Sequence, residues 1–188
     1  MDAAGNAYLT GFTAGTDFPT SAGAPQRTYA GGVHDAFVIK INPAGSAMVW
    51  GTYLGGTRDE NLNGLSSRLA VDSNSNVYVL GITNSPDYST RVGSFQPNPA
   101  DPNSTDYGDV FVTKIDAAGH IVYSTLATSK KGAHFDFTLV ATASHQAIDG
   151  HADDRPANDA CPHPAGTGIA ACAGKGPGGS LVVDLVAR

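Results

Sequence analysis

The residues of this chain best placed for chemistry are acidic and amide side chains at the head of a repeated turn. Asp2 and Asn6 open Asp2-Ala-Ala-Gly-Asn-Ala-Tyr-Leu-Thr-Gly-Phe-Thr13. Asp72 and Asn76 open Asp72-Ser-Asn-Ser-Asn-Val-Tyr-Val-Leu-Gly-Ile-Thr83, at an offset of 70 positions. Oxygen ligands at alternating positions suit calcium, and Asp72, Asn74 and Asn76 alternate in that way. The first copy has Ala4 in the middle position, so the shared feature is not a three-ligand loop. Asp and Asn also close tight turns by bonding their side chains to nearby backbone. The repeat is read as such a turn. A second calcium candidate comprises Asp101, Asn103, Thr105 and Asp106, which lack the glycine and distal Glu of an EF-hand. An ordinary polar loop is the favoured alternative, and no other cofactor is expected.

Cys161 and Cys172 close a short loop that holds Pro162, Pro164 and two glycines. In a secreted setting a disulfide is the leading reading, with two free thiols next. A metal site that adds His151 or His163 ranks last, since neither a C-x-x-C nor a paired-His spacing is present. No G-x-S-x-G elbow, H-E-x-x-H or P-loop occurs. The glycine-rich run 174–179 lacks the strand–loop–helix setting of a phosphate site, and Pro177 removes a backbone donor from it. No catalytic residue is assigned.

The elements that must position these groups are β-strands. The 188 residues carry 23 glycines and 11 prolines with only 15% charged residues, a balance that suits an all-β protein rich in turns. A net charge of −6 argues against nucleic acid and against anionic membrane surfaces as partners. No apolar run approaches the ~18 residues of a membrane span. Met1 sits directly on the repeat, so the chain is expected to start inside a structural unit of a longer protein.

Period-2 alternation predicts strands at 7–13, 35–41 and 47–54, with Gly11 inside the first. A second set follows at 64–71, 77–83, 109–115 and 121–126, with Gly81 in the place of Gly11. Asp35 and Asp109 are 74 positions apart, and the four extra residues fall in the loop 97–108, where insertions are tolerated. Lys40 and Lys114 fall in register and are read as keeping strand margins soluble. Trp50 and Tyr53 are read as packing residues. The expected architecture is all-β: two adjacent four-stranded antiparallel blades of a partial β-propeller, units 1–56 and 57–126. A β-solenoid is the competitor. After Leu126 the pattern stops. Residues 135–142 and 181–187 read as strands and 145–179 as loop, so 127–188 is a divergent β/loop tail or the start of another module.

The string D-A-A-G-N-A-Y-L-T-G-F-T, followed by T-D-F-P-T, D-A-F-V-I-K-I-N-P-A-G-S-A and T-Y-L-G-G, resembles the bacterial SBBP-type β-propeller repeat. The likeness covers roughly residues 1–126. It is looser in the second unit, where Asp17-Phe-Pro becomes Asp87-Tyr-Ser and Gly5 becomes Ser75. The resemblance implies a secreted or cell-surface, extracellular bacterial protein and brings no established catalytic residues. Two blades cannot close a ring that typically takes 4–8, so the expectation is a fragment with a binding or scaffold role. Its expected partners are further blades of the same protein and a protein or carbohydrate ligand at loops 14–34 and 84–108. The competing expectation is a propeller lyase or hydrolase whose active groups come from several blades. Ionisable side chains of both units converging on one mouth would favour that second reading.

Overall fold

In the computed structural model the described residues are 1–60, 67–90, 94–99, 108–127, 170–175 and 181–186. They contain no helix and nine strands: β1 (Ala7–Thr13), β2 (Asp35–Ile41), β3 (Met48–Leu54), β4 (Arg68–Val71), β5 (Val77–Thr83), β6 (Asp109–Ile115), β7 (Ile121–Ala127), β8 (Ala170–Lys175) and β9 (Leu181–Val186). Two sheets, β1-β2-β3 and β4-β5-β6-β7, lie in a compact unit of Met1–Gly132, and the hairpin β8-β9 lies in a second unit, Ala133–Arg188. All pairings are antiparallel.

The first sheet corrects the expectation of four strands per unit, because it has three. Arg68–Val71 feeds the Asp72 turn and pairs with β5, whereas among the described residues β1 pairs with β2 alone. Residues 1–56 therefore supply no strand beside β1 in the place that β4 takes beside β5. In the tail, β9 coincides with the strand expected at 181–187. β8 is a strand where a loop was expected; its run of Ala, Cys and Gly has no apolar alternation to announce it. The strand expected at 135–142 lies outside the described residues.

The repeated turn is built as a side-chain clamp. Asp2 Oδ1 accepts the backbone N–H of Ala4 (3.1 Å) and Asn6 (2.9 Å), while Asn6 Nδ2 and Tyr8 Oη donate to Oδ2 at 2.9 and 2.8 Å. Asp72 repeats this with Asn74, Asn76 and Tyr78. The fourth position has φ of +84° at Gly5 and +62° at Ser75, so the second copy holds a non-glycine in the left-handed region. A third copy, Asp116-Ala-Ala-Gly-His120, joins β6 to β7, with Asp116 Oδ1 accepting from Ala118 and His120 at 2.9 Å each. Carboxylates that accept several donors in this way favour ionisation. Burial works against the charge at Asp72, yet the Asn76 and Asn74 bonds outweigh it and hold its pKa below the ordinary value. Such stabilisation is present above the unfolded pKa of 3.8 and is lost as pH falls below it. Asp72→Ala is expected to destabilise the chain by about 1–2 kcal/mol at pH 7 and to reduce the loss of stability below about pH 4. Circular-dichroism melts across pH check both effects.

Lys40 corrects another expectation. Its side chain is buried in the sheet, 3.4 Å from Asp2 Oδ2 and 5.1 Å over the Tyr8 ring, and the residue is only 7% exposed. Burial disfavours its charge, but the bonds with Tyr8 and Asp2 prevail and raise its pKa. Lys114 repeats the stacking, 5.0 Å over Tyr78. A pleated strand turns alternate residues to one face, and Lys40 shares its face with Ala36 and Val38, which meet the second sheet, so a lysine there needs a partner.

The two sheets pack face to face through one hydrophobic cluster. Ala36, Val38, Trp50 and Leu54 of the first sheet meet Val77, Val79, Phe111, Ile115 and Leu126 of the second. Trp50 Nε1 donates to the Ala117 carbonyl in the β6–β7 turn at 3.1 Å, so Trp50 and Tyr53 pack as expected, with Tyr53 fully buried. Gly11 and Gly81 each lie directly across from a phenylalanine, Phe37 and Phe111, whose ring occupies the space above the missing side chain. Phe18 and Tyr88 stack on those two rings at 4.5 and 4.6 Å. The buried hydroxyl moves between units. In the first, Tyr53 Oη donates to Gly15 O. In the second, Leu126 stands across from Phe111, and the hydroxyl of Tyr88 meets Thr113 instead.

Candidate functional site

The candidate site lies where the expected loops meet. A cleft of about 270 Å³ is lined by Pro25, Gln26, Thr28 and Ala30 from the loop before β2, by Asp87, Tyr88 and Ser89 from the loop after β5, and by Leu54, Gly55, Gly56 and Ile121. The loops 14–34 and 84–108 were the expected ligand-bearing segments, and the described parts of both contribute. Pro25, Thr28, Ala30, Asp87 and Ser89 are exposed.

The cleft is positioned by a ladder of bonds along the linker after β3. Gly55 N donates to Gln26 Oε1 at 2.9 Å. Thr57 N and Oγ1 both donate to Asp87 Oδ1 at 2.9 Å. Arg58 N donates to Ser85 Oγ, and Asp59 N to Asn84 Oδ1. Gly56 has no room for a side chain, since a Cβ there would fall 2.5 Å from Ser85 Cβ and 2.7 Å from Asp87 Oδ1. The adjacent glycines thus let the linker run against the second sheet. Burial opposes the charge of Asp87, but the bonds from Thr57 override it and keep its pKa low, so a carboxylate faces the cleft at neutral pH.

Behind the linker, ionisable groups of both units do converge: Asp35 at the head of β2, Glu60 at the end of the linker, and His34 bonded to Asp59 at 3.1 Å. Asp35 is fully buried and Glu60 is 2% exposed. They support the cleft from inside and present no acid to its mouth. Glu60 carried no sequence signal of its own. Its partners Asp35, Thr83 and Ser85 are distant in sequence and meet only through the fold.

Of the residues singled out in sequence, Asp2, Asn6, Asp72 and Asn76 build turns, and Gly11 and Gly81 admit aromatic rings. Asp101, Asn103, Thr105, Asp106 and Cys161 lie outside the described residues, while Cys172 falls in β8. Among the described residues no helix is long and apolar enough to cross a membrane. No family model and no curated protein matches the chain.

Proposed function

We propose that the chain is part of a secreted or cell-surface β-propeller repeat protein that binds or scaffolds, with the inter-sheet cleft holding a protein or carbohydrate ligand. The observation that carries this reading is that both loops expected to vary line one cleft at the same end of both sheets. The manner of stacking supports the blade reading. The second sheet buries Val79, Phe111 and Ile115 against the first. The equivalent face of the first sheet, with Phe37, Ile39 and Ile41, is half-buried, and Leu9 is 45% exposed. A head-to-tail contact of this kind leaves one face ready for a further copy, as blades of the same protein would supply. Extracellular placement rests on the resemblance to the SBBP-type repeat. Convergent acids sealed from solvent support binding over catalysis.

Ser89→Trp tests the reading, because it fills the exposed rim without touching the buried ladder. Glycan and peptide arrays probed with the wild type are expected to give signals that Ser89→Trp reduces at least tenfold, equal to about 1.4 kcal/mol. Signals unchanged by Ser89→Trp, or none on either array, contradict it.

A further inference from the structure

Asp35 and Glu60 form a buried titratable pair behind the cleft. Each carboxyl group has one satisfied oxygen. Asp35 Oδ2 accepts from Ala30 N at 2.8 Å and Gln26 Nε2 at 3.1 Å. Glu60 Oε1 accepts from Thr83 Oγ1 at 2.7 Å and Ser85 Oγ at 2.5 Å. The other two oxygens, Asp35 Oδ1 and Glu60 Oε2, have no partner in hydrogen-bonding geometry, and the Gly31 and Gly56 N–H groups act on the two carboxyls without closing such a bond to either oxygen. Both lie beside the same point, 2.7 and 2.8 Å from where a side chain on Gly55 would begin.

Two ionised carboxylates cannot hydrogen-bond to each other, and in a site closed to water their repulsion is weakly screened. One proton resolves this. The protonated acid donates to the facing carboxylate, and both orphaned oxygens are satisfied. Burial chiefly, and then the facing Asp35 charge, push Glu60 up to about 8 against the bonds from Ser85 and Thr83. Burial likewise raises Asp35.

We infer that Asp35 and Glu60 share a single proton, and that this acid–carboxylate bond is a proton-operated latch fastening the second sheet to the first. Glu60 grips the end of β5 through Thr83 and Ser85 with one oxygen and the head of β2 with the other. Its backbone N–H also donates to His34 O at 2.9 Å.

The surrounding ionisable groups have other partners or stay neutral. Tyr29 and Tyr88 are held neutral, burial foremost in raising both. Asp59 bonds His34 and Asp87 bonds Thr57, while Arg58 acts on Asp87. A divalent cation is the rival occupant, but among the described residues no three His, Cys, Asp or Glu side chains gather as a metal-ligating group.

The sign of the pH effect follows from linkage. Between the unfolded value of 4.5 and about 8 the folded chain holds a proton that the unfolded chain releases, so stability falls as pH rises through that window. Glu60→Gln mimics the protonated acid, its carbonyl accepting from Thr83 and Ser85 and its amide donating to Asp35. Thermal melts of both proteins from about pH 5 to 8 are expected to show the wild-type folding constant falling by up to about tenfold per pH unit relative to Glu60→Gln. Taking this difference removes every pH effect that the two proteins share. Parallel profiles overturn the latch. So does millimolar calcium that raises the wild-type midpoint at pH 8 and leaves Glu60→Gln unchanged, since a cation would then be the bridge. If Glu60→Gln fails to fold, the ¹³C carboxyl resonances of Asp35 and Glu60 in the wild type decide. A protonated signal from either residue at pH 7 supports the latch, and titration of both in the ordinary carboxylate range overturns it.

Discussion

Trp50→Ala is expected to destabilise the chain by about 3–5 kcal/mol, the range for truncating a large buried aromatic. Trp50 is 3% exposed and joins the sheets in two ways. Its ring packs on Gly119, where a Cβ would fall 3.0 Å from Trp50 Cγ, and edge-on to Tyr8 at 6.1 Å. Its indole N–H satisfies the Ala117 carbonyl. Truncation therefore opens a cavity at the interface and leaves a turn carbonyl without its donor. Trp50→Phe retains most of the apolar contact and loses the hydrogen bond, so its expected effect is smaller, about 1–3 kcal/mol. Urea denaturation followed by circular dichroism measures both. Equal losses in the two variants would contradict the role given to the ring.

Gly81→Ala is expected to destabilise the chain by about 3 kcal/mol, at the upper end of overpacking effects. A Cβ on Gly81 would lie 2.6 Å from Phe111 Cε1, and Phe111 is fully buried beneath the stacked Tyr88, so the ring has nowhere to go. The equivalent Gly11→Ala is expected to be milder, about 1 kcal/mol. There the approach to Phe37 is 3.1 Å and that ring is only half-buried. The asymmetry between two copies of one motif is the informative result. It follows from the packing of a second sheet against one copy and not the other.

The repeat itself was legible in sequence because strands, turns and glycines recur in register, and local rules govern each of them. Gly11 and Gly81 stood out by position, but their reason lies across the strand at Phe37 and Phe111, which no local pattern connects. Lys40 misled because a charged residue is ordinarily solvated. Its burial depends on Asp2, 38 positions away, and on the sheet that covers it. The third turn did leave a signal. Asp116-Ala-Ala-Gly-His120 matches Asp2-Ala-Ala-Gly-Asn6 at four of five positions. The cleft was legible only as two loops, since the ladder from Thr57 to Glu60 uses partners that tertiary packing alone brings together.

The central claim is that the two sheets are successive copies of one unit, stacked so that a further copy would stack in the same way. In repeat architectures each added unit contributes a new interface, and stability grows with copy number. Calorimetry on a chain with a further copy of residues 57–126 and the linker 57–71 placed ahead of Asp2, where the copy meets the open face of the first sheet, tests this directly. A single cooperative transition is expected, at a higher midpoint than that of the original chain. An added copy that melts separately, or leaves the midpoint unchanged, would contradict it.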